Sequence, residues 1–194
     1  MIPALAFILV IISAALAASP QSPSPNEALT PSSKRAMANP AGDLFVAIEL
    51  APTKPASTDP VQLTVKVHNQ NKEQAVTVLK WNSPLDPQAN VLGVFRMWEP
   101  FHNNFVEFLT IKISRKLPPS QDDVVEIPPN GFEEVQVTLK PLDELNPDSD
   151  YQIEARGEWM ALWSGDDVTA AQLEDLSTAS KGDYESNEIT LRFK

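Results

Sequence analysis

Apolar residues recur at every second position over two stretches of this chain. Leu44, Val46, Ile48 and Leu50 alternate with Phe45, Ala47 and Glu49, and Val61, Leu63, Val65 and Val67 alternate with Gln62, Thr64, Lys66 and His68. Successive side chains of a strand point to opposite faces, so a period of two writes one buried and one solvated face, a pattern that no helix can satisfy. Pro52, Pro55 and Pro60 lie between the two stretches, and because proline has no N–H for a ladder, the connection is a loop. Further candidate strands follow at 75–80, 91–98, 105–115, 132–139, 151–159 and 188–193. Turn chemistry separates them: Asn69-Gln70-Asn71, Pro84-Leu85-Asp86-Pro87, Pro128-Pro129-Asn130-Gly131 and Asn146-Pro147-Asp148. Short strands punctuated in this way predict an all-β, antiparallel two-sheet sandwich. One short helix is expected in the long connection before the last strand, where Thr169 and Gln172 have capping-box spacing and Leu173 and Leu176 face the core.

Ahead of the strands the chain reads as an address. From Ile2 to Ala18 it is almost continuously apolar, centred on Ile8-Leu9-Val10-Ile11-Ile12. Ala15 and Ala17 fit the small-x-small rule of signal peptidase, which assigns 1–17 to a signal peptide cut after Ala17 and the product to the extracellular space. The start is atypical in having no Lys or Arg. A membrane anchor, the alternative, calls for ~18 or more apolar residues, and small residues close this run. Residues 18–35, with Pro20, Pro23, Pro25 and Pro31, form a Pro/Ser-rich pro-peptide or linker, too poor in apolar residues to offset the entropy of ordering. It ends in Lys34-Arg35, a dibasic pair suited to the acidic subsites of a kexin-type processing protease. The secreted domain is therefore expected to span 36–194, beginning at Ala36.

Composition narrows the chemistry. With no cysteine, disulfides, thiolate zinc sites and cysteine nucleophiles are excluded. Twenty-six acidic against fifteen basic side chains leave a net charge of −11, which repels a polyanion, so nucleic acid is not an expected partner. There is no H-E-x-x-H, G-x-S-x-G, Walker loop or G-x-G-x-x-G. Two histidines, His68 and His102, are too few for a zinc site without recruited carboxylates. Asp148-Ser149-Asp150 opens like a calcium loop, but Ile153 stands where the loop needs Gly and Trp159 where it needs Glu. Asp166-Asp167 and Glu174-Asp175 read either as oxygen donors for calcium or as capping carboxylates near a helix start. No catalytic residue, cofactor or metal ligand is assigned, and the chain is expected not to be an enzyme. The aromatic residues are more informative. Trp98-Glu99-Pro100-Phe101-His102-Asn103-Asn104-Phe105 is a turn carrying three rings, and Trp159-Met160-Ala161-Leu162-Trp163 takes an apolar run into the long loop. Trp81 and Trp159 sit within strand patterns and are assigned to the core. Trp98, Phe101, His102 and Trp163 are the candidate interaction surface, since aromatic anchors concentrate binding energy.

Two resemblances extend this reading. The run from Leu145 through Asn146-Pro147-Asp148-Ser149-Asp150-Tyr151 to Ala155 resembles the tyrosine corner of fibronectin type III domains, which makes Tyr151 a fold marker and implies an immunoglobulin/fibronectin-like sandwich. Val78-Leu79-Lys80-Trp81-Asn82-Ser83-Pro84-Leu85-Asp86 resembles a signature of the N-terminal pro-domain of fungal deuterolysin-type zinc metallopeptidases. Val106 to Arg115, Ile127-Pro128-Pro129-Asn130-Gly131 and Tyr184-Glu185-Ser186-Asn187-Glu188-Ile189 are similar, in order, to later motifs of that pro-domain. Thr110 replaces a usual Gly, Gly131 is followed by Phe-Glu-Glu, and no peptidase motif occurs in the 194 residues, so no catalytic residue carries over. The resemblance implies a non-catalytic domain that binds a deuterolysin-type metallopeptidase in trans, as inhibitor or folding aid. The alternative is an extracellular interaction module for cell-wall polymer or a host protein. A flat row of Trp98 and Phe101 rings would suit sugar stacking, whereas an apolar patch beside an unpaired strand would suit docking by strand addition.

Overall fold

The computed structural model describes residues 39–51, 55–165 and 167–193. The signal peptide, the linker and the processing residues Ala17, Lys34 and Arg35 lie outside the described residues. Among the described residues the chain forms ten strands and one short α-helix: β1 (Leu44–Leu50), β2 (Val61–Asn69), β3 (Val76–Leu79), β4 (Phe95–Glu99), β5 (Asn104–Phe105), β6 (Val124–Ile127), β7 (Phe132–Leu139), β8 (Tyr151–Ser164), α1 (Ala170–Glu174), β9 (Ser180–Glu185) and β10 (Ile189–Leu191). They form two antiparallel sheets. The first has the order β1-β2-β7. The second is built around β8, whose fourteen residues meet β4 and β3 on one side and β10 and β9 on the other, with β5 beyond β4 and β6 beyond β3.

The alternation that predicts β1 and β2 is what fuses the sheets. Val46, Ile48, Val61, Leu63, Val65 and Val67 all point inward, against Met97, Ile153, Ala155, Trp159 and Leu191 of the facing sheet. Burying such a side chain stabilises by roughly 1.5–3 kcal/mol each before entropy is counted. Asn69, buried at the end of β2, joins the sheets in another way: its Nδ2 donates to Gln74 O (2.9 Å) and Ile127 O (3.0 Å). At the other margin Asn187 lies alongside β1, accepting from Ile48 N at 2.8 Å and donating to Ile48 O at 3.0 Å.

Tyr151 is buried, and its hydroxyl accepts from Asn146 N at 2.9 Å, so the ring enters the core with its one polar atom satisfied. Thr169 and Gln172 close a reciprocal capping box on α1, with Thr169 N donating to Gln172 Oε1 (2.9 Å) and Gln172 N to Thr169 Oγ1 (3.3 Å).

Two predicted strands are corrected. Residues 91–98 are not one strand, because a 3-10 turn at Ala89–Val91 and Gly93 at φ 74° bend the chain before β4 begins. Residues 105–115 ladder only at β5. Beyond it the segment leaves the ladder and crosses to the 86–91 loop, touching Pro141 at Phe108, donating from Ile111 N to Val91 O (2.9 Å) and ending in the Arg115–Asp86 ion pair.

At the far end of the second sheet, Trp81 Nε1 donates to Asp123 Oδ1 at 2.8 Å. The hydroxyl and backbone N–H of Ser120 hold the Asp123 carboxyl below its ordinary value of 3.8; partial burial opposes them, while Trp81 and Lys80 help. A carboxylate with a depressed folded pKa lends stability that is complete above its unfolded value and is lost as pH falls through the folded one. The urea midpoint is therefore expected to decline from about pH 5 toward pH 3, with a shallower decline in Asp123→Asn. Identical slopes for the two proteins would show that this carboxylate carries none of the dependence.

Candidate interaction surface

The turn between β4 and β5 is built from the inside outward. Trp98 pairs with Phe105 and Glu99 with Asn104, and Asn103, at φ 54°, takes the left-handed conformation that lets so short a connection reverse. Glu99 closes the turn: its Oε2 accepts from His102 N at 3.1 Å and lies 2.6 Å from His102 Nδ1. Partial burial pushes the Glu99 carboxyl up, but the ring, backbone N–H and charge of His102, with Ser149, together hold it below its ordinary value.

With the Glu99 carboxylate turned inward, the turn throws its rings outward. Phe101 is 88% exposed and Phe105 65%. Trp98 is half-buried, with its ring 6.4 Å from that of Phe105. The Phe101 and His102 rings meet edge to face, 87° apart at 4.7 Å, so the tip is knobbed and not flat. Among the described residues no strand pairs the outer edge of β5. Beneath the rings lies a cavity of about 470 Å³ bordered by four carboxylates, those of Glu99, Glu107, Asp143 and Glu144. The arrangement offers apolar knobs, an open backbone edge and negative charge.

Trp98, Phe101 and His102 are thus brought together, and Trp163 is not among them. Trp163 is only 6% exposed, packed with Leu79, Trp81, Val168 and Leu173 in a second, smaller core. The reason is that β8 runs on to Ser164, past the predicted end at 159, and the segment after it folds back so that α1 covers the outer face of the sheet. Trp81 and Trp159 are buried as assigned. Glu107, Asp143 and Glu144 carry no sequence signal, since only the crossing of 106–115 beside 141–146 gathers them.

Groups of three or more His, Asp or Glu side chains placed to hold a metal ion are absent among the described residues. His68 and His102 stand apart, the first between the rings of Phe45 and Phe132 and the second on Glu99. Asp175 accepts from Ser177 N at 3.1 Å and serves as a cap.

A family model for an immunoglobulin-like domain matches residues 48–193. An uncharacterized secreted protein of Arthroderma benhamiae is 37% identical over 137 residues, 69% of either chain. A solved chain described as a Northeast Structural Genomics Consortium target superposes with a TM-score of 0.39 at 12% identity, covering 78% of this chain and 87% of that one, too distant a likeness to argue from.

Proposed function

The chain belongs to the immunoglobulin-like domain family and is secreted, and from that premise we propose that it is a non-catalytic module that binds another secreted protein through the β4–β5 turn. The observation that carries this reading is the pairing of solvent-exposed Phe101 and Phe105 with the open edge of β5. Large exposed rings beside unpaired backbone suit a partner that adds a short strand and receives the rings in pockets. Rings at 87° to one another suit pockets better than the flat face of a sugar. The carboxylates under the turn favour a partner with lysine or arginine beside its apolar groups.

Within that class, the partner we infer is the catalytic domain of a deuterolysin-type metallopeptidase, held in trans by an inhibitor or folding aid. The ordered motifs from Val78 to Ile189 support it. A domain acting in trans lacks the effective concentration of a tethered one, so the contact has to reach a Kd of about 1 μM or tighter on its own. The test is titration of the purified protein into secreted fungal metallopeptidases, following activity, recovery from denaturant and co-precipitation. Binding is expected to weaken tenfold or more, by an order-of-magnitude estimate, in Phe101→Ala/Phe105→Ala. Absence of inhibition, refolding assistance and retained peptidase at micromolar concentrations would remove the peptidase. Retention of some other secreted protein that the double variant loses would keep the turn as the docking surface.

A further inference from the structure

A second aromatic feature lies on the solvent face of the first sheet, at the other end of β7 from the turn. Phe45 of β1 is in register with His68 of β2, and His68 with Phe132 of β7, so three rings stand in one row across all three strands. Their centroids are 6.2 and 5.3 Å apart, and Phe45 and Phe132 are 43% and 52% exposed. Cross-strand ring contacts alone would stabilise the sheet. The rest of the face argues for more. Lys66 is held between Glu49 and Glu134 at 3.7 and 3.6 Å, and Gln136 Nε2 donates to Thr64 Oγ1 at 3.0 Å. Beyond the rings the face is therefore a lattice of amides, hydroxyls and mutually paired charges.

We propose that this face binds a neutral polysaccharide as a single twisted chain. Sugar rings present C–H groups that lie well on aromatic faces, and their hydroxyls exchange hydrogen bonds with amide and hydroxyl side chains of the kind that surround the row. A protein partner is disfavoured, because past the ring row only Ala47 adds apolar area to the face, too little for the dry centre of an interface. A polyanion is disfavoured, because the one lysine is already flanked by two carboxylates. The rings also select the form of the polymer. Adjacent ring planes are tilted by 39° and 43°, so the three share no common plane for a flat crystalline surface, whereas a single soluble chain can turn from one ring to the next.

The test is electrophoresis of the full secreted protein through native gels containing soluble β-1,3-glucan, alongside pull-down on crystalline chitin and cellulose. Retardation by the soluble glucan is expected, with little retention on the crystalline solids. Phe45→Ala/Phe132→Ala is expected to weaken apparent affinity by about tenfold or more. Gln136→Ala, which leaves the rings in place, should weaken it less, and Phe101→Ala/Phe105→Ala not at all. The circular dichroism of each variant shows whether it is folded, and should the double variant unfold, His68→Ala and Gln136→Ala carry the test. Absence of retardation, retardation unchanged in folded ring variants, or binding confined to the crystalline solids would each overturn the proposal. Because the turn variant is a separate arm, this failure is distinguishable from a failure of protein docking at the turn.

Discussion

Asp86→Ala is expected to lower the free energy of unfolding by about 3–5 kcal/mol, the range for removing one partner of a buried ion pair. Asp86 is 4% exposed, and its carboxylate accepts from Arg115 Nη2 (2.5 Å), Asn82 N (2.8 Å) and Gln88 N (2.9 Å). Truncation strands two backbone N–H groups and the Arg115 guanidinium, which lies 5.8 Å from the Trp81 ring and whose own Nε already has no acceptor. It also releases the far anchor of the crossing segment 106–115. Tyr184 responds to the same charge: burial first, then Asp86, pushes its phenol above the ordinary range, so it keeps its proton and donates to Asn82 O at 3.2 Å. Asp86→Leu/Arg115→Met, which removes both charges, should recover only the part of the loss owed to the stranded guanidinium, since Asn82 N and Gln88 N still lack their acceptor. Denaturant unfolding of the three proteins measures this. A single variant within about 1 kcal/mol of the parent would mean that the pair does not hold the segment.

The second large effect is at the centre of the sandwich. Trp159 is fully buried with its ring 4.7 Å from that of Tyr184, and Trp159→Ala is expected to cost about 3–5 kcal/mol, through lost transfer energy and the cavity left behind. In a domain of this size that lowers Tm by roughly 10 °C or more. Trp159→Phe should cost less than its volume change suggests. The indole Nε1 is buried without an acceptor, and phenylalanine removes that unsatisfied donor along with the second ring. Calorimetry in which Phe proves as damaging as Ala would show that shape, and not the stranded N–H, governs the site.

The parts of this fold that could be read from the sequence are those where both the pattern and its physical cause are local. β1, β2 and β7 follow from alternation, the start of α1 from its own capping box, and Tyr151 from the turn five residues upstream whose N–H it accepts. β9 could not be read so. Gly182 lies under Ala41, where a Cβ would come within 2.5 Å of that side chain, so an inward position that would normally carry an apolar signal is empty of one. Alternation in sequence does not require a partner strand, which is why 105–115 reads as a single strand although only its first residue is in a ladder. For Trp163, parity counted from Trp159 points the ring into the main core; a register shift between Trp159 and Leu162 turns it to the opposite face, where α1 covers it, and neither event is written in the local pattern. The ring row needs more still: Phe45, His68 and Phe132 become neighbours only once the register of three strands is set, and their spacing in sequence holds no trace of it.

Asn187 turns the first sheet into a structure that can grow in one direction at most. By occupying both backbone groups of Ile48, with Ser186 beside Val46, it plugs the middle of the outer edge of β1, so an incoming strand finds no template there. The opposite margin, β7, has no such plug among the described residues. Two copies joining β7 to β7 would leave a β1 edge blocked at Ile48 at each end, so growth through this sheet would stop at two. Replacing Asn187 with alanine would free both backbone groups of Ile48 and show whether the exposed edge of β1 then accepts another strand.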